Sequence, residues 1–322
     1  MNFEFLRDSK VWLVYSGTTY RLHITSISFN QSFKQDNYQT KTLHDSFQST
    51  YDQSTLLEGS SINSANPANF EFTIPMIDED SLHQHKPIDL LLGHSGTDVG
   101  VQTFTLYIDP NSSLDYVYKI ENCAITSGTF GIRRSGIMTV NIQGQGTKLS
   151  RLLRSAVLAE DADALTDNIY TNSITFGVAK TVDVTVNSAT LDNVISINME
   201  VQNKIEWTNN TTLHNSLSVT NASNSMFPST FTLSNRVVSG NINQYISNDA
   251  QSSNNILSWK QDIPVHIKAG LGSTNYQFKA ELTPCSFTNR VGVGEVYSQS
   301  YDFRLLSGAN NLTSLISHYN IT

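Results

Sequence analysis

The chain has 322 residues, a formal net charge of −8 and only 15% charged side chains, so Ser, Thr, Asn and Gln supply most of its polarity. That balance argues against binding nucleic acid through clustered Lys and Arg, and no apolar run approaches the roughly 18 residues of a membrane span. The start, Met1 to Asp8, lacks the basic region and apolar core of a signal peptide, which gives the expectation of a protein retained in the cytoplasm where it is made.

In chain order, Val11-Trp12-Leu13-Val14-Tyr15, a turn at Ser16-Gly17-Thr18, and Tyr20, Leu22 and Ile24 alternating with Arg21 and His23 predict a hairpin. Phe29 and Phe33 extend the alternation. Phe70, Phe72 and Ile74 predict a strand that breaks at Pro75. The segment from Asp78 to Gly93 is the best helical candidate, with acids at its start, Gly at its end and a kink or interruption at Pro87. Strands resume at Phe104-Leu106-Ile108, Tyr116-Tyr118-Ile120 and Met138-Val140-Ile142. An Ala- and acid-rich window, Ala156 to Leu165, suits a helical connector. Beyond it, strands are predicted at Val182–Val186, Ile197–Val201, Phe231–Leu233, Val265–Ile267, Tyr276–Leu282 and Tyr301–Leu305.

The second series repeats the first. Ile197 and His214 stand at one common offset from Ile27 and His44, and both stretches end in Thr-Leu-His. Pro228-Ser229-Thr230-Phe231 follows Pro67-Ala68-Asn69-Phe70, and Cys285-Ser286-Phe287-Thr288 follows Cys123-Ala124-Ile125-Thr126. Leu312-Thr313-Ser314-Leu315 closes the second series as Leu149-Ser150-Arg151-Leu152 closes the first. Order and spacing together predict a tandem duplication: a first β domain over residues 1–155, a linker over 156–168 and a second β domain over 169–322. Each domain is expected to be a β-sandwich or small barrel with one short flanking helix. The two cysteines take equivalent places, one per domain, and are read as reduced core thiols.

Candidate chemistry is sparse. His83 and His85, with His94 nearby, would share a face only on a strand, whereas the predicted helix points them apart. His44 and His214 recur without a recurring carboxylate or serine. Gly144-Gln145-Gly146-Thr147-Lys148 lacks the glycine spacing of a phosphate loop, Gly93-His94-Ser95-Gly96 misses the nucleophile elbow by one residue, and Asp78-Glu79-Asp80 is explained by a helix dipole. No enzyme, cofactor or metal site is predicted. Lys148, Arg151 and Arg154, at three-residue steps, form a candidate basic helical face suited to a solvated surface or a subunit salt bridge more than to DNA contact. The long polar loop from Gln35 to Ser61 carries Phe47, Tyr51, Leu56 and Leu57. These residues are candidates for contact with a neighbouring subunit or ring.

The stretch Leu57 to Pro75, with Asn66-Pro67-Ala68-Asn69-Phe70-Glu71-Phe72-Thr73-Ile74-Pro75, resembles the region of major tail tube proteins of long-tailed bacteriophages where a polar loop re-enters the inner sheet. Ile120-Glu121-Asn122-Cys123 through Phe130, then Val140 to Gly146, are similar to the closing strands of such proteins, with counterparts at Cys285 to Arg290 and Tyr301 to Arg304. The resemblance implies a non-enzymatic virion protein assembled in the host cytoplasm. It further implies a homotrimer whose two tube-like domains per chain complete a pseudo-hexameric ring. Such rings stack into a hollow tail tube, through which viral DNA passes without specific binding; sheath, tail terminator and baseplate proteins are the implied further partners, and no membrane is involved. About 24 inner strands would exceed the 16 to 18 that already leave an aqueous channel. An acidic chain also suits a lumen that repels phosphates. The alternatives are a baseplate hub or tube-initiator protein with the same two domains, and a carbohydrate-binding adhesin sandwich.

Overall fold

A computed structural model describes residues 9–41, 56–78, 84–93, 101–110, 115–160, 165, 175–208, 226–246, 260–272, 275–306 and 312–321. The chain is mainly β. Its first half contains β1 (Lys10–Tyr15), β2 (Thr18–Leu22), β3 (Ser26–Asn30), β4 (Phe33–Lys41), β5 (Leu56–Ala65), β6 (Ala68–Pro75), β7 (Ile77–Asp78), helix α1 (Lys86–Leu92), β8 (Phe104–Asp109), β9 (Tyr116–Arg133), β10 (Thr139–Gly146), β11 (Lys148–Leu153) and helix α2 (Arg154–Glu160). The second contains β12 (Thr175–Phe176), β13 (Thr181–Val186), β14 (Ala189–Thr190), β15 (Val194–Thr208), β16 (Thr230–Tyr245), β17 (Lys260–Gly272), β18 (Asn275–Gly292), β19 (Ser298–Leu305), a single 3₁₀ turn (Leu312–Ser314) and β20 (Ile316–Ile321).

The predicted first hairpin forms, with Tyr15 opposite Thr18. Its two-residue turn needs positive φ at both central positions, and Ser16 (φ 50°) and Gly17 (φ 77°) supply it. Alternation then decides which face each strand buries. Phe70, Phe72 and Ile74 of β6 point into the core while Asn69, Glu71 and Thr73 point away, and Val140 and Ile142 do the same on β10.

In the first half β2, β1, β8, β9 and β11 lie side by side in one layer, and β3, β6, β10 and β9 in another. The strand common to both is β9. Its residues 116–123 pair with β8 and β11, and its residues 124–131 pair with β10. Phe70 meets Phe104 and Phe29 meets Tyr118 across the gap, at ring separations of 5.9 and 5.2 Å, so the layers close face to face. In the second half β14, β13, β17, β18 and β20 lie side by side, and β15, β16, β19 and β18 form the other layer. The two halves therefore use their strands in the same order. One apolar core runs through both without a break.

Two expectations are corrected. The helix does not start at Asp78: Ile77 and Asp78 form β7, paired with β12, and α1 begins at Lys86 with Pro87 in its first turn. Proline fixes a helical φ and lacks the N–H that the first turn leaves unpaired, so it opens this helix instead of kinking it. The strand predicted at Tyr116-Tyr118-Ile120 forms and continues as β9 over 18 residues. Lys148 and Arg151 lie on β11 and Arg154 opens α2, so the three do not form a helical face. In the second half, the segment that follows β16 as α1 follows β6, residues 247–259, lies outside the described residues.

Candidate assembly interface

The halves are joined by sheet pairing. β9 and β15 run antiparallel with Ile132 opposite Ile197, Phe130 opposite Met199 and Gly128 opposite Val201. All six are buried. Burying a side chain of this size from water contributes roughly 2 kcal/mol, so this short seam is a strong contact. Phe130 also reaches Phe278 of β18, rings 5.1 Å apart. The turn after β9 is held from the second half as well. Met138 N–H donates to Gly177 O at 2.8 Å, and Gly177 N–H donates to Met76 O at 2.7 Å. A Cβ at Gly177 would stand 2.9 Å from that Met76 oxygen, which is why a residue without one sits there.

Helix α1 rests on the same seam. A Cβ at Gly128 would meet Leu91 Cδ2 at 2.2 Å, so glycine on β9 allows the helix to come close. The C-terminal carbonyls of α1 are capped from the second half. Asn203 Nδ2, fully buried on β15, donates to Leu91 O and to Ile125 O, both at 3.2 Å. Arg236 of β16 donates through Nε to Asn203 Oδ1 at 2.7 Å and through a terminal nitrogen to Leu92 O at 3.3 Å. A cation at a helix C-terminus also complements the helix dipole; burial lowers the Arg236 pKa.

Further along α1, His318 of β20 bonds Asp89 at 3.0 Å, and the His318 and His85 rings meet edge to face at 5.7 Å. Burial, with His318 beside it, lowers the His85 pKa to about 4. His85 is thus a neutral, packed side chain at physiological pH. His83 and His94 lie outside the described residues, and among those described no group of His, Cys, Asp and Glu could hold a metal. Cys123 and Cys285 are both free and buried, each bonding the carbonyl three residues earlier; burial raises both thiol pKa values.

The face turned away from the core is a field of amides and hydroxyls. Asn141 donates to Glu71 at 2.9 Å and Thr73 at 3.2 Å, Gln145 donates to Asn69 at 3.1 Å, and Asn241 donates to Ser300 and Asp302. Its charges balance: Glu71, Glu200, Glu206 and Asp302 are set against Arg133, Lys204, Arg290 and Arg304, with Arg290 bonding Asp302 at 2.6 Å. Among the described residues, the acidic excess of the chain is not on this face.

The sequence-predicted contact residues are scattered. Phe47 and Tyr51 lie outside the described residues, and Leu56 and Leu57 begin β5, which pairs with β4 in a two-stranded ribbon separate from the main sheet. Lys148 Nζ stands 5.3 Å from the Phe227 ring, Arg151 covers Tyr116 at 3.5 Å, and Arg154 bonds the buried Asp109 carboxylate at 2.8 Å. Each of these three cations has a partner within the chain. Sequence reading missed Asn203 and Arg236, although a polar Asn in a strand whose neighbours Val201 and Ile205 are apolar, on the core-facing parity, was a usable signal.

A polar-faced antiparallel sheet on a continuous apolar core defines a mainly β protein. The chain belongs to the bacteriophage baseplate tube protein family, whose sequence pattern matches residues 1–317. It is thus a structural component of the phage tail tube apparatus. No curated protein matches it. Among solved structures it is similar to a chain of the sheath–tube complex of PVC, an extracellular contractile injection system in its extended state, at 11% identity and a TM-score of 0.34, over 47% of this chain and 92% of that one. It is similar also to the tube-terminating cap of the anti-feeding prophage, at 10% identity and a TM-score of 0.33, over 48% of this chain and 93% of that one.

Proposed function

We propose that the protein is a ring-forming tube subunit with two tube-like domains in tandem, that three copies complete a pseudo-hexameric ring, and that viral DNA passes through the ring without specific binding. The observation that carries this reading is the inner layer. In one chain it runs β18-β19-β16-β15-β9-β10-β6-β3, with the same four-strand order used twice. The repeated order also supports the tandem duplication, with the halves meeting through residues 156–168. Three such layers end to end give about 24 strands. At ~4.8 Å spacing and ~40° tilt they enclose a circle about 48 Å across the backbones, room for a DNA duplex. The charge-balanced amide face, turned inward, would neither hold nor strongly repel phosphates.

The family favours a place at the baseplate end of the tube, where the ring would contact baseplate proteins on one side and further tube rings, within a sheath, on the other. The β4–β5 ribbon, with Phe33 and Ile62 about half exposed, is the proposed inter-ring element, extended by Phe47, Tyr51, Leu56 and Leu57. Negative-stain microscopy of the purified chain tests the reading. Rings, single or stacked, support it, and a monodisperse monomer at every concentration contradicts it. Long tubes in place of isolated rings would assign the main tube instead of its baseplate segment.

A further inference from the structure

The inner layer has two open ends, and the chain contains its own template for how they meet. At one end, among the described residues, β3 pairs only with β6. At the other, among the described residues, β18 beyond Phe287 has β19 as its strand partner. Between them lies the closed seam of β9 and β15.

Hydrogen-bonded rows across each half give the correspondence residue by residue. Ile27, Phe72, Ile142 and Gly128 form one row of the first half; Ile197, Ile242, Tyr301 and Asn289 form the row of the second that Ile197 shares by sequence with Ile27. Following β10 and β19 onward, Phe130 of β9 corresponds to Val291, and Gly131 to Gly292. The next residue, Ile132, corresponds to Val293. The strand β3 corresponds to β15, with Phe29 in the place of Met199.

Exposure along these rows separates the closed seam from the open ends. Phe130 and Ile132 are 1% and 2% exposed, and their counterparts Val291 and Val293 are 49% and 78% exposed. Ile27 and Phe29 are half-buried where Ile197 and Met199 are fully buried. Val296 and Tyr297, between β18 and β19, are also exposed. An unpaired strand edge carrying exposed valines invites another strand, and the one with matching pattern and spacing is β3 of a second copy.

We propose that β3 of one chain adds antiparallel to the Thr288–Val293 edge of the next, with Ile27 opposite Val293, Ser28 opposite Gly292, Phe29 opposite Val291 and Asn30 opposite Arg290. This deepens the ring reading and rests on it, replacing an unspecified subunit contact by one register. A one-residue slip would turn Ile27 and Phe29 to the polar face, so the register is determined by the same alternation that builds the core.

Disulfide trapping in the full chain tests it. Asn30→Cys with Arg290→Cys places thiols on exposed, directly opposed residues, whereas Asn30→Cys with Thr288→Cys shifts the partner by two along the same face, beyond comfortable disulfide reach. Under mild oxidation the first pair should give a covalently closed trimer on a non-reducing gel and the second should give at least tenfold less. Rings visible by microscopy with no cross-link in the first pair, or with cross-linking confined to the second, overturn the register and leave the ring reading standing. A folded protein that forms neither rings nor cross-links overturns both.

Discussion

The β9–β15 seam and the open ends of the same layer differ in one respect. Their strands occupy corresponding positions and alternate alike, but at the seam the partner is in the same chain and at the ends no partner strand stands among the described residues. Phe130 at the seam is buried, and Val291 at the end is half exposed. Such a pair separates what a contact does for folding from what it does for assembly, because substitutions at matched positions should act on one and spare the other.

The largest effect should come from charge at these matched positions. Phe130→Lys buries an unpaired ammonium in the core and removes an aromatic contact; it should cost about 4 kcal/mol or more and leave the protein insoluble or unfolded by circular dichroism. Val291→Lys should change stability by about 0.5 kcal/mol or less, as exposed substitutions do, while abolishing rings in the microscope. If Val291→Lys also unfolds the chain, the open end is part of the monomer core and the comparison fails.

A smaller loss is expected at the helix that bridges the halves. Asn203→Ala strips Leu91 O and Ile125 O of a donor and leaves the Arg236 guanidinium without its short bond. Unsatisfied buried groups cost about 1–3 kcal/mol each, so denaturant unfolding should show a loss of about 2–3 kcal/mol. Ring formation by the protein that remains folded should persist, since no residue of the open ends is touched.

The smallest effect concerns pH. His85 has a folded pKa of about 4, below its ordinary 6.5, so the folded state resists the proton that the unfolded chain accepts. Its contribution is fully present above pH 6.5 and is lost as pH falls toward 4. His85→Gln should flatten the decline in melting temperature across that window and leave values above pH 7 nearly parallel to the parent.

Much of the fold was legible because alternation is a direct record of burial. The Phe70-Phe72-Ile74 run and the Ser16-Gly17 turn needed no tertiary information. The start of α1 was obscured by Asp78-Glu79-Asp80, an acidic run that also suits a helix N-terminus, while Pro87 carried the stronger signal. The length of β9 beyond Ile120 is obscured because Gly128 and Gly131 interrupt the apolar alternation. Leu91 packs so close to Gly128 that no side chain fits. Likewise Gly144, whose spacing from Gly146 does not fit a phosphate loop, lies on β10, and the Phe70 ring stands 2.1 Å from where its Cβ would be. The helical face expected of the basic series does not form, because three-residue spacing alone reveals neither the strand under Lys148 and Arg151 nor Tyr116, Phe227 and Asp109 as partners. The interface argued from the structure came instead from comparing equivalent strands, for which the repeated order of the halves is required.

The central claim is that three chains close one ring through ends that repeat the pairing of the internal seam, and the most direct measurement is the mass of the assembled ring by native mass spectrometry. The account predicts three chains of 35.7 kDa each, and dissociation to monomers with Val291→Lys. A ring of six chains, or a trimer that survives that substitution unchanged, would contradict it.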